Sequence, residues 1–310
     1  MVDFRYHLVS IIAVFLALAV GIVLGTTTLN GVVLDNLNGQ VVGLRTDKQA
    51  LRTQLRQTQD QMTAENAFVK SALPILVAGR LTGEGVAVLS APGTPGSLRD
   101  GVVAAVRAAG ATVTAQIQLA PQLLDPKEES ALTALVTGLG IPGPATISGT
   151  GSAEAVATLA SVLVSRSGDR SRPAPPTARV LAAFQHAGML TMNGSASDGN
   201  LALVLSGPAS SPNSGTTNPS AATLLLLATA LDSGGDGAVI GGPLAGTTSD
   251  GALAAARNSA EVRSKVSTVD SVDSAMGQVE TVLALASQLR GTTVAWGAGP
   301  GTTPPVLTPL

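Results

Sequence analysis

A chain of 310 residues is long enough for one or two domains plus appendages. It is 45% hydrophobic and 12% charged, with a formal charge of −2 and no basic tract interleaved with aromatics, so nucleic-acid binding has no support. The absence of cysteine removes disulfides, thiolate metal sites, Fe–S clusters and cysteine nucleophiles together, and is compatible with either redox compartment.

The first predicted element is the apolar run HLVSIIAVFLALAVGIVLG, His7 to Gly25. From Leu8 to Leu24 only Ser10 and Gly21 interrupt it, and as a helix this stretch spans roughly 26 Å, the lower limit for crossing a bilayer. Arg5 precedes the run and the next basic residue is Arg45, so the positive-inside rule keeps the N-terminus in the cytoplasm and exports the rest. Ala17-Leu18-Ala19 has the form of a signal-peptidase site, but cutting there would leave Val20 to Leu24 as a bare apolar end. The expectation is a retained signal-anchor within residues 1–28, with lipid against residues 8–25 and a single pass through the cytoplasmic membrane. Cleavage after Ala19 would instead allow an outer-envelope location.

Apolar residues then fall at Leu34, Leu37, Val41, Leu44, Leu51, Leu55, Met62 and Val69, with Lys48, Thr58 and Glu65 filling the missing places. The alternating steps of three and four are those of an a/d heptad seam. They predict a coiled-coil stalk over 29–73, about 54 Å long from Leu34 to Val69, with Pro74 as its stop. Gly39 and Gly43 weaken its first half, each by roughly 1 kcal/mol relative to Ala. Such a helix either lies on its own globular domain or pairs with a partner helix, whether a second copy or another protein. Lys48 and Glu65 at seam positions favour control of register or a heteromeric partner.

From Gly83 the pattern becomes α/β. Strands are predicted near 86–89, 112–119, 189–192, 201–205, 238–240, 266–269 and 292–296. Helices are predicted near 97–109, 127–138, 152–165, 177–187, 220–231 and 250–260, and a last one carries Met276, Val279, Leu283, Ala286 and Leu289 on one face. Continuous apolar strands alternating with helices indicate a Rossmann-like, mostly parallel sheet covered on both faces, spanning 83–297, with halves at 83–166 and 177–297 and a disordered tail at 298–310. Aromatics are only 2% of the chain, so Ala, Val and Leu must fill the core through close backbone approach.

Motifs for chemistry are sparse. Gly93, Gly96 and Ser97 open a helix after the first strand, as a phosphate loop does, but without GxGxxG or a P-loop lysine. His186, Met189 and Met192 are ligands that Cu(I) accepts; on a strand Met189 and Met192 would face opposite sides, and a helix end packing its Met into the core fits the spacing better. Asp270 and Asp273 could bind a hard cation, but Ser267-x-x-Asp270 and Asp270-x-x-Asp273 better suit helix capping. There is no GxSxG, HExxH or CxxC, and of two histidines one is His7, which argues against a hydrolase triad. No catalytic residue and no cofactor is expected.

FRYHLVSIIAVFLALAVGIVLG (Phe4 to Gly25), the heptads behind it, and STVDSVDSAMGQVETVLAL (Ser267 to Leu285, containing Ser267, Thr268, Val269, Asp270 and Asp273) together resemble the MctB family of actinobacterial envelope proteins. The order of anchor, coiled coil and α/β domain is similar over nearly the whole length. The resemblance implies either copper transport across the envelope, as part of an oligomeric channel, or the role of a SteB-like branch. That branch acts in cell separation through contacts with a peptidoglycan hydrolase and a second membrane protein. A copper path calls for soft ligands, of which the exported part has one His, four Met and no Cys. The expectation is therefore a non-catalytic regulator of cell-wall remodelling, with copper transport as the alternative.

Overall fold

The computed structural model describes the backbone of residues 4–140, 151–169, 176–208, 219–248, 251–303 and 305, without the side chains at 4–5, 26–36, 38 and 219. The Leu34 side chain, the centres of the loops expected at 167–176 and 206–219, and the end of the predicted tail lie outside the described residues.

The chain divides into two units, Met1–Glu65 and Asn66–Leu310. The first is helical throughout its described length and belongs to α1 (Phe4–Val77). Its segment Tyr6–Gly25 has a mean hydropathy of 2.9 and none of it is buried, so it is long and apolar enough to cross a membrane. Beyond it, Leu37, Val41, Leu44, Leu51, Leu55 and Met62 are all exposed.

The second unit is an α/β head built on one seven-stranded sheet of order β3-β2-β1-β4-β5-β6-β7. The strands are β1 (Gly85–Ser90), β2 (Thr112–Leu119), β3 (Leu190–Met192), β4 (Leu201–Leu205), β5 (Gly237–Gly241), β6 (Ser267–Val269) and β7 (Ala295–Trp296). All neighbours are parallel except β2 with β3, where Leu119 lies opposite Leu190. The sheet runs through both expected halves, which therefore share one core. Between the strands lie α2 (Gly96–Ala108), α3 (Glu129–Leu139), α4 (Ser152–Leu163), α5 (Thr177–His186), α6 (Pro219–Gly234), α7 (Ala252–Asn258), α8 (Ala260–Arg263) and α9 (Ala275–Gln288).

Both faces of the sheet are covered, and the strand alternation sorts side chains between them. Ala87, Leu89, Ala202, Val204 and Ile240 join the layer of α3 to α7. Val86, Val88, Leu203, Val239 and Val269 join that of α2, α9 and the end of α1. In β1, β4 and β5, where neither face sees water, the strands read as nearly unbroken apolar runs.

Three expectations change. Helix α1 does not stop at Pro74 but runs three residues further. Pro74 is itself exposed, while Leu73 and Val77 on either side of it are buried in the head, and that packing offsets the hydrogen bond a proline removes. Val69, expected in the stalk seam, is half-buried against the same core, and the compact unit that holds the head begins at Asn66, within the stalk expected over 29–73, rather than at residue 83. Finally, residues 298–303 are not a disordered tail: their backbone is hydrogen-bonded to Asp270, Arg257 and Ala295.

Candidate functional site

The STVDSVDS stretch forms the most constrained polar cluster among the described residues. Ser267, Thr268 and Val269 make up β6, so Asp270 leaves the sheet at its carboxyl edge, where parallel α/β sheets commonly place their sites. Asp270 is wholly buried and accepts a charge-assisted bond from the Arg257 guanidinium at 2.8 Å. It also accepts the backbone N–H groups of Ala298 (2.8 Å) and Gly299 (3.0 Å) and the Ser271 hydroxyl (2.9 Å). Burial alone would raise its pKa, but these donors outweigh it and hold the carboxyl below the usual range.

Arg257 spends its other donors on Thr268 Oγ1 and on the carbonyls of Trp296 and Pro300. Gly297 has a φ of +125, and a Cβ there would collide with the Asp270 carboxylate, so only glycine lets the chain wrap it. Ser271 is the one described non-glycine residue with positive φ, at +57, a conformation the turn imposes.

The remaining motif residues are structural. Ser267 Oγ accepts from Gln288 and from the Val294 N–H, joining the end of α9 to the last strand. Asp273 is exposed. Neither aspartate caps α9, as had been expected: Ser274 does, accepting from the Gly277 N–H at 3.0 Å, while the N–H of Ala275 is taken by Asn66 Oδ1 at 2.8 Å. Asp270 is unavailable for capping because it is pinned to Arg257 and to the peptide after Trp296. Along α9, Glu280 is buried, and desolvation, reinforced by the Asp270 charge, pushes its carboxyl up to about 7.

The three copper candidates lie in different surroundings. Met189 is buried in the core beside Phe184 and Leu190, Met192 is partly buried on β3, and His186 is exposed in the last turn of α5. Among the described residues, no group of three or more His, Asp or Glu side chains is placed to hold a metal ion.

The turn of Gly93, Gly96 and Ser97, which lacks the phosphate-loop motifs, is tied back to the neighbouring strand. Between β1 and β4, where strand order reverses, the Ala91 N–H donates to the Leu205 carbonyl at 2.7 Å and the Thr94 hydroxyl to the same oxygen at 3.2 Å. Gln118 closes the neighbouring carbonyls of Ser90 and Ala91.

One feature escaped the sequence reasoning. At the opposite, amino edge of the sheet a cleft of about 640 Å³ is lined by Glu84, Arg166, Asp232, Asp236 and Lys265, among others. Asn200 organises its rim, accepting from the Gly85 N–H at 2.8 Å and donating to both Glu84 and Asp236. Burial raises the Asp232 carboxyl. For Asp236 burial acts the same way, but hydrogen bonds from Ser167 and Asn200 with the Arg166 charge win and lower it. No spacing in the sequence links these residues, which are brought together only at the strand ends.

Known proteins are similar to this chain across the N-terminal helix as well as the head. Residues 1–307 match the family described as "Copper transport outer membrane protein, MctB". The chain belongs to the MctB family. Proteins named "Copper transporter MctB" from Mycobacterium bovis and Mycobacterium tuberculosis are each 27% identical to it over 309 residues, covering 97% of this chain and 98% of theirs. One of the same name from Mycobacterium leprae is 30% identical over 330 residues, covering 98% of both chains. Membership thus embraces the N-terminal helix as well as the head.

Proposed function

We propose that this MctB-family chain is a membrane-anchored, non-catalytic envelope protein that acts through protein contacts in cell-wall remodelling or cell separation. The observation that carries the reading is the apolar stripe of α1. Leu44 is 68%, Leu51 65% and Met62 64% exposed, on heptad spacing, in a chain whose head has a complete core without them. In this reading residues 6–25 stay in the cytoplasmic membrane with the N-terminus inside and the head outside, and the contacts are with a cell-wall hydrolase and a second membrane protein. The test is Leu44→Asp, Leu51→Asp and Leu55→Asp together in the full-length protein. Loss of crosslinked partners and a cell-separation defect, with the Trp296 emission of the head unchanged, is expected; unchanged partner capture overturns the proposal.

Copper transport is the second reading, favoured by the family description and by the names of the mycobacterial relatives. It predicts Cu(I) binding by the full-length protein that weakens with His186→Ala and Met189→Leu, the latter chosen because it conserves core volume. A copper-sensitive deletion strain with normal cell separation would favour this reading over the first.

A further inference from the structure

The heptad register assigns an occupant to the exposed stripe. With Leu37, Leu44 and Leu51 at d and Val41, Leu55 and Met62 at a, the g positions are Gln40, Asp47, Gln54 and Gln61, and the e positions include Arg45, Arg52 and Gln59. In a parallel two-stranded coil each g residue meets the e residue five places on in the other helix. That sets Asp47 against Arg52 of the second copy, twice by symmetry, and Gln40 against Arg45. No like charges meet at these flanks. An antiparallel pair would put e against e, bringing Arg45 and Arg52 toward the arginines of the other copy.

The seam agrees with the flanks. Lys48 is the single charged residue between Leu37 and Met62 at an a or d position, and one lysine at a is a known device for specifying register and oligomer state. In a parallel pair the two Lys48 residues share one a layer, and each lies beside Asp47 of the other copy, whose charge offsets their repulsion. Gly39 and Gly43 fall at f and c, on the outer face, so they loosen the helix without opening the seam. The stripe ends where Val69 turns into the head. Two copies held by residues 6–25 in one membrane also enter the coil from the same end, a step that rests on the anchoring proposed above.

We infer that α1 pairs with a second copy of this chain as a parallel, in-register coiled coil over Leu37 to Met62, its alignment set by Asp47 with Arg52 of the other copy. The partner contacts proposed above would then be made by a two-helix surface rather than by a lone helix.

The chain has no native cysteine, so single cysteines report directly. In the full-length protein in its membrane, Leu51→Cys should form a disulfide-linked dimer on mild oxidation, and Thr53→Cys, at f, should not. Asp47→Arg or Arg52→Asp in the Leu51→Cys background should each lower the linked fraction by roughly fivefold, and the two together should restore it. A mixed disulfide between Leu44→Cys and Leu51→Cys chains without the 51–51 product, or charge reversals without effect, overturns the inference. So does a chain that never links to itself. If the triple Asp variant still loses partner capture in that last case, the interaction reading survives without the dimer.

Discussion

The Arg257 guanidinium meets the Asp270 carboxylate at 2.8 Å inside the head, with the two side chains 5% and 0% exposed. Removing one partner of such a pair leaves an uncompensated buried charge and typically costs about 3–5 kcal/mol. Arg257→Ala should therefore destabilise the head by that order. The only tryptophan, Trp296, is buried and its carbonyl bonds to Arg257, so denaturant titration followed by its emission reads the loss directly.

Glu280 makes the head lose stability as pH rises from mild acid to neutrality. Its carboxyl is raised from 4.5 to about 7 by burial and by Asp270, so the folded state holds the proton more tightly than the unfolded chain. The stabilisation is full below the unfolded value and is lost as pH rises through about 7. Glu280→Gln should remove that slope and gain on the order of 2 kcal/mol at alkaline pH. Asp270, held low, acts oppositely: its contribution is present above the ordinary carboxylate range and disappears in acid. Denaturation midpoints of wild type and Glu280→Gln across pH separate the two, and parallel curves would contradict the assignment.

The peptide after Trp296 should behave as part of the fold. Gly297→Ala places a methyl against Asp270 in a backbone region alanine avoids, at a cost of at least about 1 kcal/mol. Hydrogen exchange at Ala298 and Gly299 should accelerate in this variant, because their N–H groups lose the carboxylate. Protection equal to wild type would show that the wrap does not depend on glycine.

Asn66 ties the last part of α1 to the first turn of α9 through the Ala275 N–H. Asn66→Ala leaves that donor without its acceptor and should cost about 1 kcal/mol. Asp273→Ala, on an exposed side chain, should stay within about 0.5 kcal/mol of wild type by the same denaturation assay.

Much of the architecture was legible because it is periodic. The run from Leu8 to Leu24 needs no partner to declare itself, and the heptads from Leu37 to Met62 follow from spacing alone. Leu201 to Leu205 and Thr112 to Leu119 were read at their observed bounds: the first is buried throughout and continuous in hydrophobicity, whereas the second alternates Thr and Gln with apolar residues. The last helix was harder: Val279 to Gln288 are all buried, so an amphipathic stripe describes α9 poorly. Asp270 illustrates the limit. Ser267-x-x-Asp270 has the local form of a cap, and nothing local reveals that its carboxylate is claimed by Arg257 from one side and Ala298 from the other.

By itself, then, the sequence determined the apolar span, the heptad face, the strand order in the chain and the α/β class, all of which arise from interactions between near neighbours repeated at a fixed interval. The tertiary structure decided where the heptad helix becomes head, which residue caps α9, that the peptide beyond Trp296 is held, and that Asn200 gathers Glu84 and Asp236 at one rim. Each of these depends on a polar or charged group meeting a partner that only chain return brings near, as the Asn66–Ala275 bond does across 209 residues. A single buried carboxylate is satisfied by geometry rather than by pattern, and its partners leave no period in the sequence.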